Sequence, residues 1–331
     1  MTPDAVVPAR ADAPRDAPRF RVGVIGAGRV GAVLAAGLAA AGHDVVAAAG
    51  ESDASRGRIA ALLPHLAALP PAKPTTVARA SDLLLLTVPD DMLPNVVTVL
   101  ADSGALRPGQ VVVHTSGRHG LAVLAPAAAV GARVVALHPA MTFTGTAVDL
   151  DRLPGCVFGL AAGEQERGVA AQLVADLGGR AMWVPDERRA LYHAGLAHGA
   201  NHLVTLVSEA LQLLAGAGAD DPAAVLRPLL TAALDNALEH GDAALTGPIV
   251  RGDVNTVRAH LDDLLVQAPT TLPSYLALAR ATLARAVTDG RLTALRAHAI
   301  AAVLDAAEDA AASSAPGRTS AQRGLATPEQ R

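Results

Sequence analysis

Short apolar runs alternate with helix-period stretches through the first half of the chain. The runs at 20–25, 45–49, 83–89, 110–114, 133–137, 156–160 and 181–184 predict seven strands. Leu83, Leu84, Leu85 and Leu86 leave no polar position, as in a strand covered on both faces of a parallel sheet. Helices are predicted between strands at about 30–41, 90–100 and 164–177. Strands and helices in turn predict a doubly wound α/β domain with a parallel sheet over 20–185.

After 185 the strand signal stops. Ala and Leu recur at helical spacing in five stretches, 187–216, 221–241, 254–266, 270–288 and 292–311, with Gly or Pro near their ends. This predicts an all-α second domain over 186–311. Segments 1–19 and 312–331 are rich in small, polar and charged residues with Pro, and are expected to be a disordered leader and tail. The leader has no apolar core, so it does not read as a secretory signal.

Composition narrows the partners. The chain has 331 residues and a net charge of −4, which gives no electrostatic case for nucleic acid or an anionic membrane. Aromatics make up 2%, too few for base-stacking platforms. No apolar stretch reads as a transmembrane helix. The single cysteine, Cys156, rules out an internal disulfide framework and fits a reducing, cytoplasmic setting.

The first strand runs directly into Gly26-Ala27-Gly28-Arg29-Val30-Gly31, the G-x-G-x-x-G spacing of a dinucleotide-binding turn. Gly26 would allow the tight turn, Gly28 the approach of a pyrophosphate, and Gly31 the close packing of the next helix. With the strand before it and the helix and strand after it, the motif completes a βαβ unit. At the end of the second strand Glu51 is placed for ribose hydroxyls, whereas Ser52, Ser55 and Arg56 suit a 2′-phosphate; the balance favours NADP over NAD.

Other polar residues fall at predicted strand tips, where ligands collect in open α/β sheets. Val88 and Pro89 are expected beside a nicotinamide ribose, with Asp90 capping a helix. Ser116, in His114-Thr115-Ser116-Gly117, is a candidate substrate contact, and His138-Pro139 forms a third cluster. On the first helix of the second domain, His193 and Asn201 share a face, a proton donor and an amide suited to carbonyl reduction. His198 and His202 have metal-capable spacing but no third ligand, so no metal is expected. Arg251, in a Gly/Pro-punctuated break, is a candidate clamp for a substrate carboxylate, and Asp253 a helix cap.

Together G-A-G-R-V-G, T-V-P-D, H-T-S-G, H-P-x-M-T-F, Y-H-A-(x6)-N and L-T-G-P-(x2)-R-G-D closely resemble a family of Rossmann-like proteins whose helical C-terminal domain is known as domain of unknown function 2520. The resemblance spans about 20–310. It implies an architecture similar to ketopantoate reductase, pyrroline-5-carboxylate reductase and the 3-hydroxyisobutyrate and 6-phosphogluconate dehydrogenases. It also implies an NADP- or deazaflavin-dependent oxidoreductase, ketopantoate as a favoured small-molecule substrate, and a homodimer, for which the Ala-rich helices 187–216 and 270–288 are suited. One departure matters. Ketopantoate reductase and the hydroxyacid dehydrogenases use a Lys four residues before an Asn on this helix, where this chain has Ala197; its one lysine is Lys73. His193 is therefore the expected acid, with proton delivery through water as the other route. A nucleotide-binding sensor or scaffold without turnover is the alternative.

Overall fold

The computed structural model describes residues 19–50, 52–67 and 72–314. Residues 1–18 of the expected leader 1–19, Glu51, and the expected tail 312–331 from 315 onward lie outside the described residues. In chain order the elements are β1 (Arg21–Ile25), α1 (Arg29–Ala40), β2 (Asp44–Ala49), α2 (Asp53–Leu62), α3 (Pro64–Ala67), α4 (Pro74–Ala80), β3 (Leu83–Leu86), α5 (Leu93–Asp102), β4 (Val111–His114), α6 (Ala125–Ala129), β5 (Arg133–Pro139), β6 (Val157–Ala162), α7 (Arg167–Asp176) and β7 (Arg180–Trp183). Then follow α8 (Arg189–Gly216), α9 (Pro222–His240), α10 (Pro248–Arg251), α11 (Val254–Gln267), α12 (Leu272–Thr288) and α13 (Ala294–Ser314). Two compact units divide after Gly199, within α8.

In the first unit seven strands form one sheet in the order β2-β1-β3-β4-β5-β6-β7. Their side chains alternate between two cores. Val22, Val24, Leu83, Leu85, Val111 and Val113 pack with Val33, Leu34 and Leu38 of α1 and with Leu173 and Val174 of α7. Ile25, Leu84, Leu86 and Val112 pack on the opposite face with Val77 of α4 and with Leu93, Val97 and Leu100 of α5. Both faces are thus covered, which is why β3 needs four consecutive leucines.

Two expectations are corrected. The sheet is not wholly parallel: β6 runs antiparallel to β5. The segment between them holds only a 3-10 turn, Ala147–Arg152, and no helix long enough to carry the chain back across the sheet. Nor does β3 reach Pro89. It ends at Leu86, after which Thr87 N–H donates to Ile25 O at 2.9 Å and the chain leaves the sheet.

In the second unit α11, α12 and α13 share a core of Val257, Leu261, Leu272, Leu276, Ile300 and Leu304. The helix α9 is different: among its 19 residues only Leu226 is buried.

Candidate functional site

Strand order reverses its progress between β1 and β3, so the carboxyl ends of these strands flank the switch point of the sheet. The glycine turn lies there. Gly26 has φ +92°, and a Cβ on it would lie 2.7 Å from the Thr87 carbonyl carbon. A Cβ on Gly31 would collide with the Thr87 hydroxyl and lie 2.6 Å from Gly26 O. Both glycines are required by the chain's own packing. Gly28 is not: its nearest neighbour would be Gly26 O at 3.8 Å, and its φ of −79° suits any residue. The space beside it is open.

The amides around it divide cleanly. Gly26 and Ala27 N–H both donate to Ala49 O at 3.0 Å, and Gly28 N–H donates to Gly26 O. Ala27 is itself buried and props the turn. The amides of Arg29, Val30 and Gly31 have no described carbonyl to take them, and α1 has neither a side-chain cap nor an acid in its first turn. Such a helix start, with its partial positive charge, fits the diphosphate of a dinucleotide. Val88 N lies 2.8 Å from the place a Gly26 Cβ would take, so the Val88-Pro89 segment borders the same turn.

At the end of β2, Ser52 caps α2, accepting from Ser55 N–H at 3.1 Å, and Arg56 pairs with Asp53. A further cation was not apparent from spacing: the half-buried Arg58 converges with Arg29 on Gly145, within 2.5 and 3.0 Å of its missing Cβ.

A polar group gathers at the tips of β4 and β5 and at the start of α8, all within the first unit. His114 is fully buried; its Nδ1 accepts from Ser116 N–H at 3.1 Å and its Nε2 donates to Gly120 O at 3.0 Å. Burial lowers its pKa to about 4, so it is a neutral pillar of the turn. His138 Nδ1 lies 3.0 Å from Tyr192 Oη, and its ring meets that of His193 edge-on with centroids 5.8 Å apart. Burial, then the neighbouring His193 and Arg189, hold the His138 pKa at about 4. Gly117 permits this approach: a Cβ there would lie 2.5 Å from His193 Cδ2 and 2.9 Å from His138 Nε2. Ser116 Oγ accepts from His119 N–H at 3.2 Å, which leaves its hydroxyl hydrogen to donate.

Sequence reasoning overlooked Tyr192 and Arg189 here. Arg189 is fully buried and donates to Ser116 O at 3.0 Å. Burial lowers its pKa, partly offset by Asp186. The available signal was spacing: Arg189, Tyr192 and His193 stand at i, i+3 and i+4 of one helix.

The structure thus brings Ser116 and His193 together. Asn201 and Arg251 belong to the second unit, both exposed. Arg251 ends α10, Gly252 follows with φ +68°, and Asp253 caps α11 by accepting from Thr256 N–H at 3.2 Å. The unit also holds a cavity of about 410 Å³ whose lining includes Leu213, Thr246, Ile249, His260 and Tyr275. Among the described residues no group of three metal-capable side chains comes together, and no helix is long and apolar enough to cross a membrane.

Two family models match, the Rossmann-like domain over 7–139 and the domain of unknown function DUF2520 over 156–282. The chain joins a Rossmann-like domain to a DUF2520 domain. The DUF2520 match thus begins before β6 and runs into α12. Solved structures share the fold. A Bacteroides fragilis protein described as a "putative NADP oxidoreductase" is 20% identical, with TM-score 0.68, covering 80% of this chain and 98% of its own. The Thermotoga maritima protein TM1727 is 20% identical with TM-score 0.58, covering 81% and 99%. The NADPH-bound reductive aminase of Aspergillus terreus is 17% identical with TM-score 0.50, covering 90% and 95%. No curated protein matches the chain.

Proposed function

We propose that this DUF2520 protein is an NAD(P)-dependent oxidoreductase that reduces a small carboxylate-bearing carbonyl or imine, with 2-dehydropantoate (ketopantoate) the first substrate to test. The carrying observation is Gly28, bare without an internal reason, beside three unclaimed amides at the switch point. The fold's solved neighbours include proteins described as NADP- and NADPH-linked, which favours the same cofactor class. Gly26, Ala27, Gly28, Arg29, Val30 and Gly31 form the diphosphate turn, Val88 and Pro89 border it, and Ser52 and Arg56 receive the adenosine end.

The bound nicotinamide would supply a hydride. The protein's part is to place the carbonyl and deliver a proton. His193 is the proton donor, standing beside a His138 that stays neutral at pH 7. The Ser116 hydroxyl polarises the substrate oxygen. We read the protein as a cytoplasmic homodimer. The buried thiol of Cys156 and the exposed Leu203, Val204, Leu229 and Leu238 of α8 and α9 support this.

The test is NADPH titration followed by a panel of 2-oxo acids, with oxidation read by absorbance. His193→Ala should slow reduction by about 100-fold or more and leave cofactor affinity nearly unchanged; full turnover by that variant removes His193 from the mechanism. The Lys73-only composition favours a second reading, a nucleotide sensor. NADPH stabilisation without any oxidation supports it. Preference for a deazaflavin coenzyme over NADPH would reassign the cofactor.

A further inference from the structure

Four buried side-chain nitrogen or oxygen atoms lack a hydrogen-bond partner among the described residues, and three of them surround one turn of the first unit. They are Nε and Nη1 of Arg189 and Nε2 of His119. The Arg189 side chain and the His119 backbone both bind Ser116. Arg189 Nη2 donates to Ser116 O at 3.0 Å, and His119 N–H donates to Ser116 Oγ at 3.2 Å. A fully buried guanidinium with most of its donors unmet is unfavourable, and native chains rarely retain one without a partner.

The neighbouring groups do not supply that partner. Asp186 is the nearby acid, but its Oδ2 accepts from Leu121 N–H at 2.7 Å and neither free Arg189 nitrogen bonds to it. Ser116 offers its carbonyl to one Arg189 nitrogen only. His114 and His138 are neutral at pH 7 and bring neither a counter-charge nor a second cation. Tyr192 Oη is engaged with His138. Arg118, the next cation along the turn, pairs with Asp90 and Asp91.

We propose that Arg189, with His119 beside it, holds a carboxylate of the substrate at the Ser116–Gly117 turn. The inference rests on the reductase reading and moves the carboxylate contact from Arg251 to the first unit. A planar carboxylate matches the fork of a guanidinium and can accept from its two free nitrogens. A phosphate dianion would add a second charge with no second cation to meet it. His119 Nε2 gives the anion a further donor in its Nε2–H tautomer. Because His193 packs against Gly117, a 2-oxo acid anchored here would present its carbonyl near the proposed proton donor.

Thermal unfolding of the full chain at constant ionic strength tests this, with chloride, phosphate, pyruvate and 2-oxoisovalerate as probes, each with and without NADPH. The 2-oxo acids should raise the midpoint above chloride by on the order of 3 °C at saturating concentration. Arg189→Met should abolish that increment, and Arg189→Lys should restore part of it. Equal midpoints in chloride and carboxylate for the wild-type protein overturn the proposal, as does stabilisation greater with phosphate than with carboxylate. Survival of the increment in Arg189→Met, or its loss in Arg251→Ala alone, also overturns it. If Arg189→Met does not fold, the wild-type probes and Arg189→Lys decide. The NADPH arm separates the two ideas. A cofactor shift without a carboxylate shift ends this inference and spares the reductase reading, whereas no cofactor shift ends that reading itself.

Discussion

In β3 all four leucines are buried, whereas in the 19-residue α9 only Leu226 is. Both segments are apolar in sequence. The strand has neighbours on both edges and helices on both faces, so every side chain is committed. The helix carries Leu229 at 66% and Leu238 at 80% exposure. Apolar character therefore reports a committed position in the sheet and an uncommitted surface in the helical unit.

The largest effect should expose that contrast directly. Leu85→Ala should lower stability by about 2–5 kcal/mol through the cavity it leaves in the core beneath α1 and α7. Leu238→Ala should change the stability of an isolated chain by no more than about 0.5 kcal/mol. Urea unfolding at two protein concentrations checks both. A loss for Leu238→Ala that grows with concentration would show the α9 face covered by a second copy and erase the contrast.

A second effect separates the units by pH. The folded His114 titrates at about 4, below its ordinary 6.5. The unfolded chain therefore binds the extra proton first. The stabilisation is complete above pH 6.5 and is lost as pH falls from 6.5 through 4, amounting to about 3 kcal/mol for this fully buried ring. His114→Asn, which keeps an acceptor for Ser116 N–H, should flatten part of the acid limb of a stability–pH profile, the remainder belonging to His138. An unchanged limb would place the titration elsewhere.

The smallest effect on folding should accompany a clear effect on binding. Gly28→Ala should move stability by less than about 0.5 kcal/mol, because its Cβ meets only Gly26 O at 3.8 Å. NADPH affinity should fall roughly 10-fold or more, since the methyl group faces the expected diphosphate. Calorimetric titration beside a urea melt reads the two quantities. A destabilised protein that binds NADPH normally would reverse the assignment of this glycine.

Much of the architecture was legible because its signals are local. The seven strands and the five long helices beyond 185 appear nearly where periodicity and Gly/Pro punctuation set them. The reversed direction of β6 was not legible, since a strand buried on both faces looks alike in either orientation. Part of the candidate site was also open to reading: glycine spacing pointed to the turn, and strand-tip and helix-face positions singled out Ser116 and His193 as candidates. Arg189 was missed because an arginine beside Arg188 at a helix start reads as solvated charge. Only burial distinguishes it from its neighbour, and burial depends on strands β4 and β5, far away in sequence.

The Thr87 hydroxyl donates to Gly26 O at 2.6 Å, so the glycine turn is latched from the neighbouring strand before any ligand arrives. A loop fixed in this way has little disorder left to surrender. Association at the turn should then proceed without a slow rearrangement, its speed governed by encounter. Thr87→Val, which keeps the branched shape and discards the latch, would convert a lock already cut for its key into one that must be shaped around it.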